Sequence, residues 1–406
     1  MTAIDEIYDP TDPATIADPY PALARLCAEA PVAWSGRLKA WLLTRYDDCL
    51  AAQRDRRFSA ERMVTYFQGL APARREQLQR SEGALGRWAV FLDPPGHTRI
   101  RAHLNGRFTT AALSAMAPRI AHRIDVLLAP AREGRRMDFI ADFAYPLPAS
   151  VIMDILGAPL GCLDEVQRWS HDLALFVGSS QTAPNKHLRA EAAVAGLDEI
   201  FRDLLRARRR RPADDLVSEL AASTGLSDDD LVANCILLLF AGHETTTGLL
   251  ANGLMRLVQH PRQQDLLRRE PARAEAAVEE MLRYDSPAPA VSRIAAEDIE
   301  IRGQRIPAGA RVFLMLNAAN RDPEAFEDPE RFDIARREGR QIAFGFGIHF
   351  CVGAPLARLE AALAFPRLLA AMREIEITAD RLDWRDGVSL RGAVSMPIRF
   401  RPAELP

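Results

Sequence analysis

The stretch "FGFGIHFCVG", Phe344 to Gly353, sets a single cysteine among three glycines and three phenylalanines. Gly345, Gly347 and Gly353 permit backbone conformations closed to other residues, and a close approach to a flat body. The run that follows, Ala354 to Leu369, reads as a helix, which puts Cys351 near a helix N-terminus. Free amides and the dipole favour a thiolate there, and a thiolate is a strong ligand for iron. The plain alternative for any lone cysteine is a small core hydrophobe. Three glycines within nine residues weigh against it.

Upstream lies "SDDDLVANCILLLFAGHETTTGLLANGLMRLVQHP". Ser227 followed by Asp230 resembles a capping box with Asp in place of Glu, and His260-Pro261 stops the run. At about 1.5 Å per residue such a helix would span roughly 45 Å, enough to cross a domain. His243, Glu244 and three threonines interrupt the apolar run before the roughly 20 residues a membrane span needs, so it reads as a buried central helix. Inside it, Gly242 weakens the helix, Glu244 is costly to bury unless paired or useful, and threonines bond back to carbonyls. These point to a helix kinked next to a ligand; a polar stripe facing a partner helix is the alternative. The zinc-protease motif HExxH is excluded, because position 247 is Thr.

Two further patterns carry little weight alone. Glu280 and Arg283 share one helix face at i,i+3, a spacing many helices show by chance. In "FLDPPGHTRIRAHL", His97 and Arg101 would point the same way from a helix starting after Pro95. Two such donors suit a carboxylate or phosphate, or are ordinary exposed basic residues.

Composition sets outer bounds. The 406 residues are 48% hydrophobic and 26% charged, with a net charge of -3, an ordinary globular balance that argues against general nucleic-acid binding. Cys27, Cys49, Cys162, Cys235 and Cys351 are odd in number and form no CxxC pair. A disulfide framework and a structural zinc site are therefore not expected, and a reducing cytoplasm is. The N-terminus reads as neither signal peptide nor membrane anchor. Helices are expected over Tyr20 to Ala30, Ala111 to Leu128, Leu163 to Val177, His187 to Arg211 and Ala272 to Tyr284. Strands are expected at Ala40 to Thr44, Ile299 to Ile301, Arg311 to Leu316, Val388 to Leu390 and Pro397 to Phe400. The run Arg208 to Arg211 reads as a solvated helix end. The fold class is mainly α with small β-sheets.

The opening loop matches FxxGxxxCxG through Phe344, Gly347, Cys351 and Gly353, and with it the chain resembles the cytochrome P450 monooxygenases of the soluble bacterial class. "AGHETT", Glu280–Arg283 and "PERFD" (Pro329 to Asp333) fall in that family's order, and the likeness spans nearly the whole chain, taken as a single domain, 1–406. It implies haem b between the central helix and the cysteine loop, with Cys351 as axial thiolate and metal ligand. Phe344, Gly345 and Gly353 would lie against the haem. His97, Arg101, Arg293 and His349 would hold its propionates. Glu244 and Thr245 would be an acid–alcohol pair delivering protons to dioxygen, with Ala241 and Gly242 making room. Glu280, Arg283 and Arg331 would fix the proximal side. Gln341 stands where many relatives have histidine.

The same resemblance implies electrons from NAD(P)H through a ferredoxin and ferredoxin reductase, docking near Arg336, Arg337, Arg340 and Arg358. It implies a monomer that binds neither nucleic acid nor membrane. A hydrophobic small molecule would be oxidised in a pocket of Trp88, Phe176, Leu237, Phe240, Ala290, Val291, Ala393 and Val394, with loops from about Met63 to Trp88 and Phe176 to Pro184. A peroxide-driven thiolate-haem enzyme and a non-catalytic haem gas-binding protein are the competing functions.

Overall fold

In the computed structural model, which describes residues 3–403, the longest element is the central helix Asp228–Gln259. Its start is a reciprocal cap: Asp230 N donates to Ser227 Oγ and Ser227 N donates to Asp230 Oδ2, both at 3.2 Å. Every residue from Leu231 to Phe240 is buried. That burial follows from an apolar run with no polar face, which only an interior position can accommodate. The helices Pro146–Leu156, Lys186–Arg210, Ala274–Tyr284 and Ala354–Ala371 pack around it. The helix is unbroken through the AGHETTT motif, where the Thr245 and Thr246 hydroxyls donate back to the Ala241 and Gly242 carbonyls at 3.0 and 3.3 Å. The expected kink is thus a local back-bonding, not an interruption.

Three small sheets flank the bundle. The largest has the order Val32–Ser35, Ala40–Leu43, Arg311–Leu314, Val291–Ala295, Phe58–Ser59. Its one parallel pair joins Ala40–Leu43 to Arg311–Leu314. A second sheet joins Arg136–Asp138, Pro397–Pro402 and Met372–Ile377. The third is the hairpin Ile299–Ile301 with Gln304–Ile306. Its two-residue turn, Arg302-Gly303, has positive φ at both positions, as a type I′ turn demands.

The helix Leu163–Val177 has the expected bounds, and the others fall within three residues of theirs. One expected strand is shorter than expected and another is absent. Arg311–Leu314 stops early because Leu316–Ala319 turns into a helix. Val388 to Leu390 is no strand; its Ser389 N–H is taken by the Gly178 carbonyl of a distant loop at 3.0 Å. At the end of Lys186–Arg210, Arg208 pairs with Asp215 and Arg209 with Asp228, so two of the four arginines are tied to neighbours. No helix among the described residues is long and apolar enough to cross a membrane.

Candidate active site

The cysteine loop is shaped by two glycines and one glutamine. Gly345 and Gly347 have φ of 72° and 73°, left-handed values that cost a side-chain-bearing residue about 1–2 kcal/mol. Gln53 closes the turn from outside: its Oε1 accepts from Phe346 N at 2.7 Å, and a Cβ on Gly347 would sit 2.8 Å from its carbonyl oxygen. Gly353 differs from the expectation. Its φ of −81° is open to any residue, and a Cβ there would lie 3.9 Å from Cys351 Sγ. Its smallness keeps space beside the sulfur; it is not needed for the turn. Cys351 opens onto the cavity, and desolvation by the surrounding protein pushes its thiol up, opposed in part by the Gly353 amide, Arg101, the Ala354 amide and Arg358. The helix end alone therefore does not make a thiolate; a bound cation would.

Facing the loop is a cluster of basic side chains. The helix Gly96–Leu104 presents His97, whose ring centroid lies 4.4 Å from that of His349. Arg101 donates to the Phe350 carbonyl at 2.7 Å. Arg293 is buried on its strand, and burial pushes its guanidinium down to about 10. His349 is pushed down to about 3 by burial, then by Arg293, His97 and Arg101, while burial and Arg101 lower His97. Both imidazoles are thus neutral donors at pH 7. Like charges crowd a site whose neighbouring acid, Asp93, is already held by Ser59 Oγ at 2.6 Å and Ala60 N at 2.9 Å. Such a cluster is stable with anions beside it. Gln341 takes no part: it bonds Glu279 at 2.9 Å and its own turn at Ala343 N.

Cys351, Phe344, Gly345, Gly353 and this cluster line a cavity of about 310 Å³, together with Trp88, Leu237, Phe240, Ala241, Ala290 and Val291. Trp88 is stacked between Phe91 and Phe240, at 5.6 and 5.7 Å. Asn234 of the central helix fixes its chain through Ala89 N and the Arg87 carbonyl. Three expected pocket residues lie elsewhere. Phe176 packs on Tyr66, Phe67 and His187. Ala393 lines a smaller void behind Glu244, and Val394 is exposed. Ser389 and Leu390 reach the cavity instead, and the buried Ser389 hydroxyl meets no partner.

Glu244 and Thr245 both border the cavity. Thr245 is turned onto the Ala241 carbonyl. Glu244 is buried and ion-paired with Arg385, with His243 Nε2 at 3.8 Å. Burial opposes its charge, but Arg385 and His243 outweigh that and hold its carboxyl below the usual range. Gly242 lines the cavity with Ala241 and also has a packing role: a Cβ would come 2.7 Å from Ile152 Cγ1, so it lets the helix Pro146–Leu156 close on the central helix.

Beneath the loop, Arg283 and Glu280 are buried and bidentate at 2.7 and 2.8 Å. Arg283 also donates to the carbonyls of Asn320, Pro329 and Arg331. The guanidinium of Arg331 is not part of this pair; it is exposed and meets Asp333 at 3.2 Å. Arg336 takes the place instead, with Nε 3.4 Å from Glu280 Oε2. Arg336 is thereby withdrawn from the surface expected to dock a partner. Arg358 is partly withdrawn too, held by Glu279 at 2.5 Å and lying over Phe344. Arg337 and Arg340 stay exposed, joined by Arg54, which lies over Phe346 at 4.3 Å.

Sequence reasoning did not find Gln53, Arg336, Arg385 or Ser389 in these roles. Each acts through a contact tens to hundreds of positions away in the chain, and none stands in a recognisable local pattern.

The family model "Cytochrome P450" matches residues 63–373. The chain is 38% identical over 395 residues to the vitamin D(3) 25-hydroxylase of Pseudonocardia autotrophica, covering 95% of this chain and 94% of that one. Among solved structures, P450BioI in complex with a hexadec-9Z-enoic acid-ligated acyl carrier protein superposes with a TM-score of 0.89 at 32% identity, covering 95% and 99% of the two chains. Myxobacterial CYP267B1 with myristic acid gives 0.88 at 37% identity, over 98% and 100%. The chain belongs to the cytochrome P450 family and is an oxidoreductase of its monooxygenase class. The family implies haem with a cysteine thiolate ligand, acting with O2. The residues present fit that group: one sulfur with open space beside it, a cavity between loop and central helix, and basic side chains short of anions.

Proposed function

We propose that the protein inserts one oxygen atom of O2 into an apolar small molecule, with electrons from NAD(P)H delivered by a ferredoxin and its reductase. What carries the reading is one cavity lined by Cys351, by Glu244 and Thr245 of the central helix, and by mainly apolar side chains. A peroxide-driven enzyme or a gas carrier would have no use for that acid–alcohol pair.

Haem b, bound through Cys351, would supply the redox and oxygen-activating chemistry. Arg101 and Arg293 would neutralise its propionates, His97 and His349 would donate hydrogen bonds to them, and Phe344 would shield the sulfur. Trp88, Leu237, Phe240, Ala290 and Val291 would exclude water and orient the substrate. Thr245 would offer its hydroxyl proton to the cavity by leaving the Ala241 carbonyl, and Glu244 would replace that proton. The buried Glu280–Arg283–Arg336 cluster would hold the loop from below. We take residues 1–406 as one catalytic domain, monomeric and cytoplasmic.

The test is turnover of an apolar library with NAD(P)H, ferredoxin, ferredoxin reductase and labelled O2. Product carrying one labelled oxygen is expected. Product formed with peroxide alone, and none with the electron-transfer system, would overturn the reading.

A further inference from the structure

Arg62 is a cation with no assigned counterion. It lines the cavity, and its guanidinium lies 4.5 Å from the centroid of the Phe91 ring. No carboxylate or hydrogen-bond acceptor among the described residues meets it. Burial pushes it down to about 9, and Arg311 and Arg293 add repulsion, yet it stays charged at neutral pH. Among the described residues, Arg311 meets neutral partners: Ser292 Oγ at 3.2 Å, Ser179 Oγ at 2.9 Å and the Phe313 ring at 4.5 Å. Nearby, Asp386 is held by Ser180, Gln181 and Thr182, and Lys186 feels its charge as well as that of Arg311.

The charges here can be counted. Arg62, Arg101, Arg293 and Arg311 are four guanidinium cations. Asp93 and the two propionates of a bound haem are three anions. One positive charge is left over, and a partly buried charge without a partner is unfavourable. Arg62 is the member without a polar contact, and it faces a cavity that is otherwise apolar.

We propose that Arg62 anchors the carboxylate of an apolar carboxylic acid substrate, with Arg311 as the second cation behind it. A single surplus charge calls for a monoanion, and the flat guanidinium fork matches a carboxylate. The inference rests on the functional reading above and narrows its substrate class.

The experiment titrates the holoenzyme with medium- to long-chain carboxylic acids, tetradecanoic acid among them, and with their methyl esters, following the Soret shift. The acids should bind at least about tenfold more tightly, the worth of one hydrogen bond to a charged group. Arg62→Gln should erase that preference while haem content stays at the wild-type level, and Arg62→Lys should restore part of it. Acids and esters acting alike in the wild type, a lack of response to both included, would overturn the inference. So would loss of haem from Arg62→Gln, which would make Arg62 a propionate ligand. The carbon monoxide spectrum of the same sample separates the two levels: without a thiolate-type band the functional reading itself falls.

Discussion

Arg385, on the chain segment between the last two strands, reaches across the fold and closes its guanidinium on the carboxylate of Glu244 in the central helix. The segment is held by Arg385 N on the Gly392 carbonyl at 3.1 Å and by Val394 N on the Asp383 carbonyl at 2.8 Å. Glu244 is therefore a paired buried carboxylate, and its readiness to give up a proton is set from the other end of the sequence.

That pairing gives a pH-dependent prediction. In the wild type Glu244 titrates below its ordinary value of about 4.3. Its stabilising contribution is fully present above that pH and is lost as pH falls through the lowered value. Arg385→Gln leaves the carboxylate buried alone and should cost about 3 kcal/mol at pH 7. The cost should shrink towards pH 5, as the stranded carboxyl takes up a proton. Urea unfolding of holoenzyme across that range reads it; a deficit independent of pH would contradict the pairing.

The loop's underside separates two arginines that look alike in sequence. Arg331 is exposed and bound only to Asp333, so Arg331→Ala should change stability by about 0.5 kcal/mol or less. Arg336 approaches the buried Glu280 carboxylate, so Arg336→Ala should cost roughly 2 kcal/mol. Thermal melts of the two variants compare them directly. Equal effects, or the reverse order, would reject the substitution of Arg336 for Arg331 in this cluster.

These arginines also show what a sequence does and does not disclose. The Ser227–Asp230 cap, the buried run after it and the helix Leu163–Val177 are local: their signals lie within a few residues of the structure they specify. The cysteine loop was legible for the same reason, since its glycines act on the turn that contains them. Arg336 and Arg331 lie five residues apart in an irregular segment, where no periodicity says which side chain turns inward. Arg62, Arg385 and Ser389 acquire meaning only from partners brought in by tertiary packing. Val388 to Leu390 has strand-like composition, but its amide is claimed by Gly178, a competition invisible along the chain.

Gly242 offers a packing test inside the central motif. A methyl there meets Ile152 at 2.7 Å, so Gly242→Ala should cost about 1–3 kcal/mol through overpacking. Ile152→Val or Ile152→Ala should recover part of that loss in a double-mutant cycle. Additive effects would mean that the glycine is not there for helix contact.

The exposed basic residues around the cysteine loop give a kinetic prediction. Reversing the charge of Arg54, Arg337 and Arg340 should slow reduction by an acidic ferredoxin about tenfold or more at low salt, an effect that fades as salt rises. The substrate-induced Soret shift should not change. Stopped-flow reduction measures the first quantity and a static titration the second. Unchanged reduction would remove these residues from the docking surface.

The central claim is that Cys351 is the iron ligand of this cavity. The reduced carbon monoxide difference spectrum tests it most directly. The account predicts a thiolate-type band in the wild type and its loss in Cys351→Ala, with Cys27→Ala, Cys49→Ala, Cys162→Ala and Cys235→Ala keeping it. A haem-loaded wild type without that band, or a Cys351→Ala variant that retains it, would contradict the account.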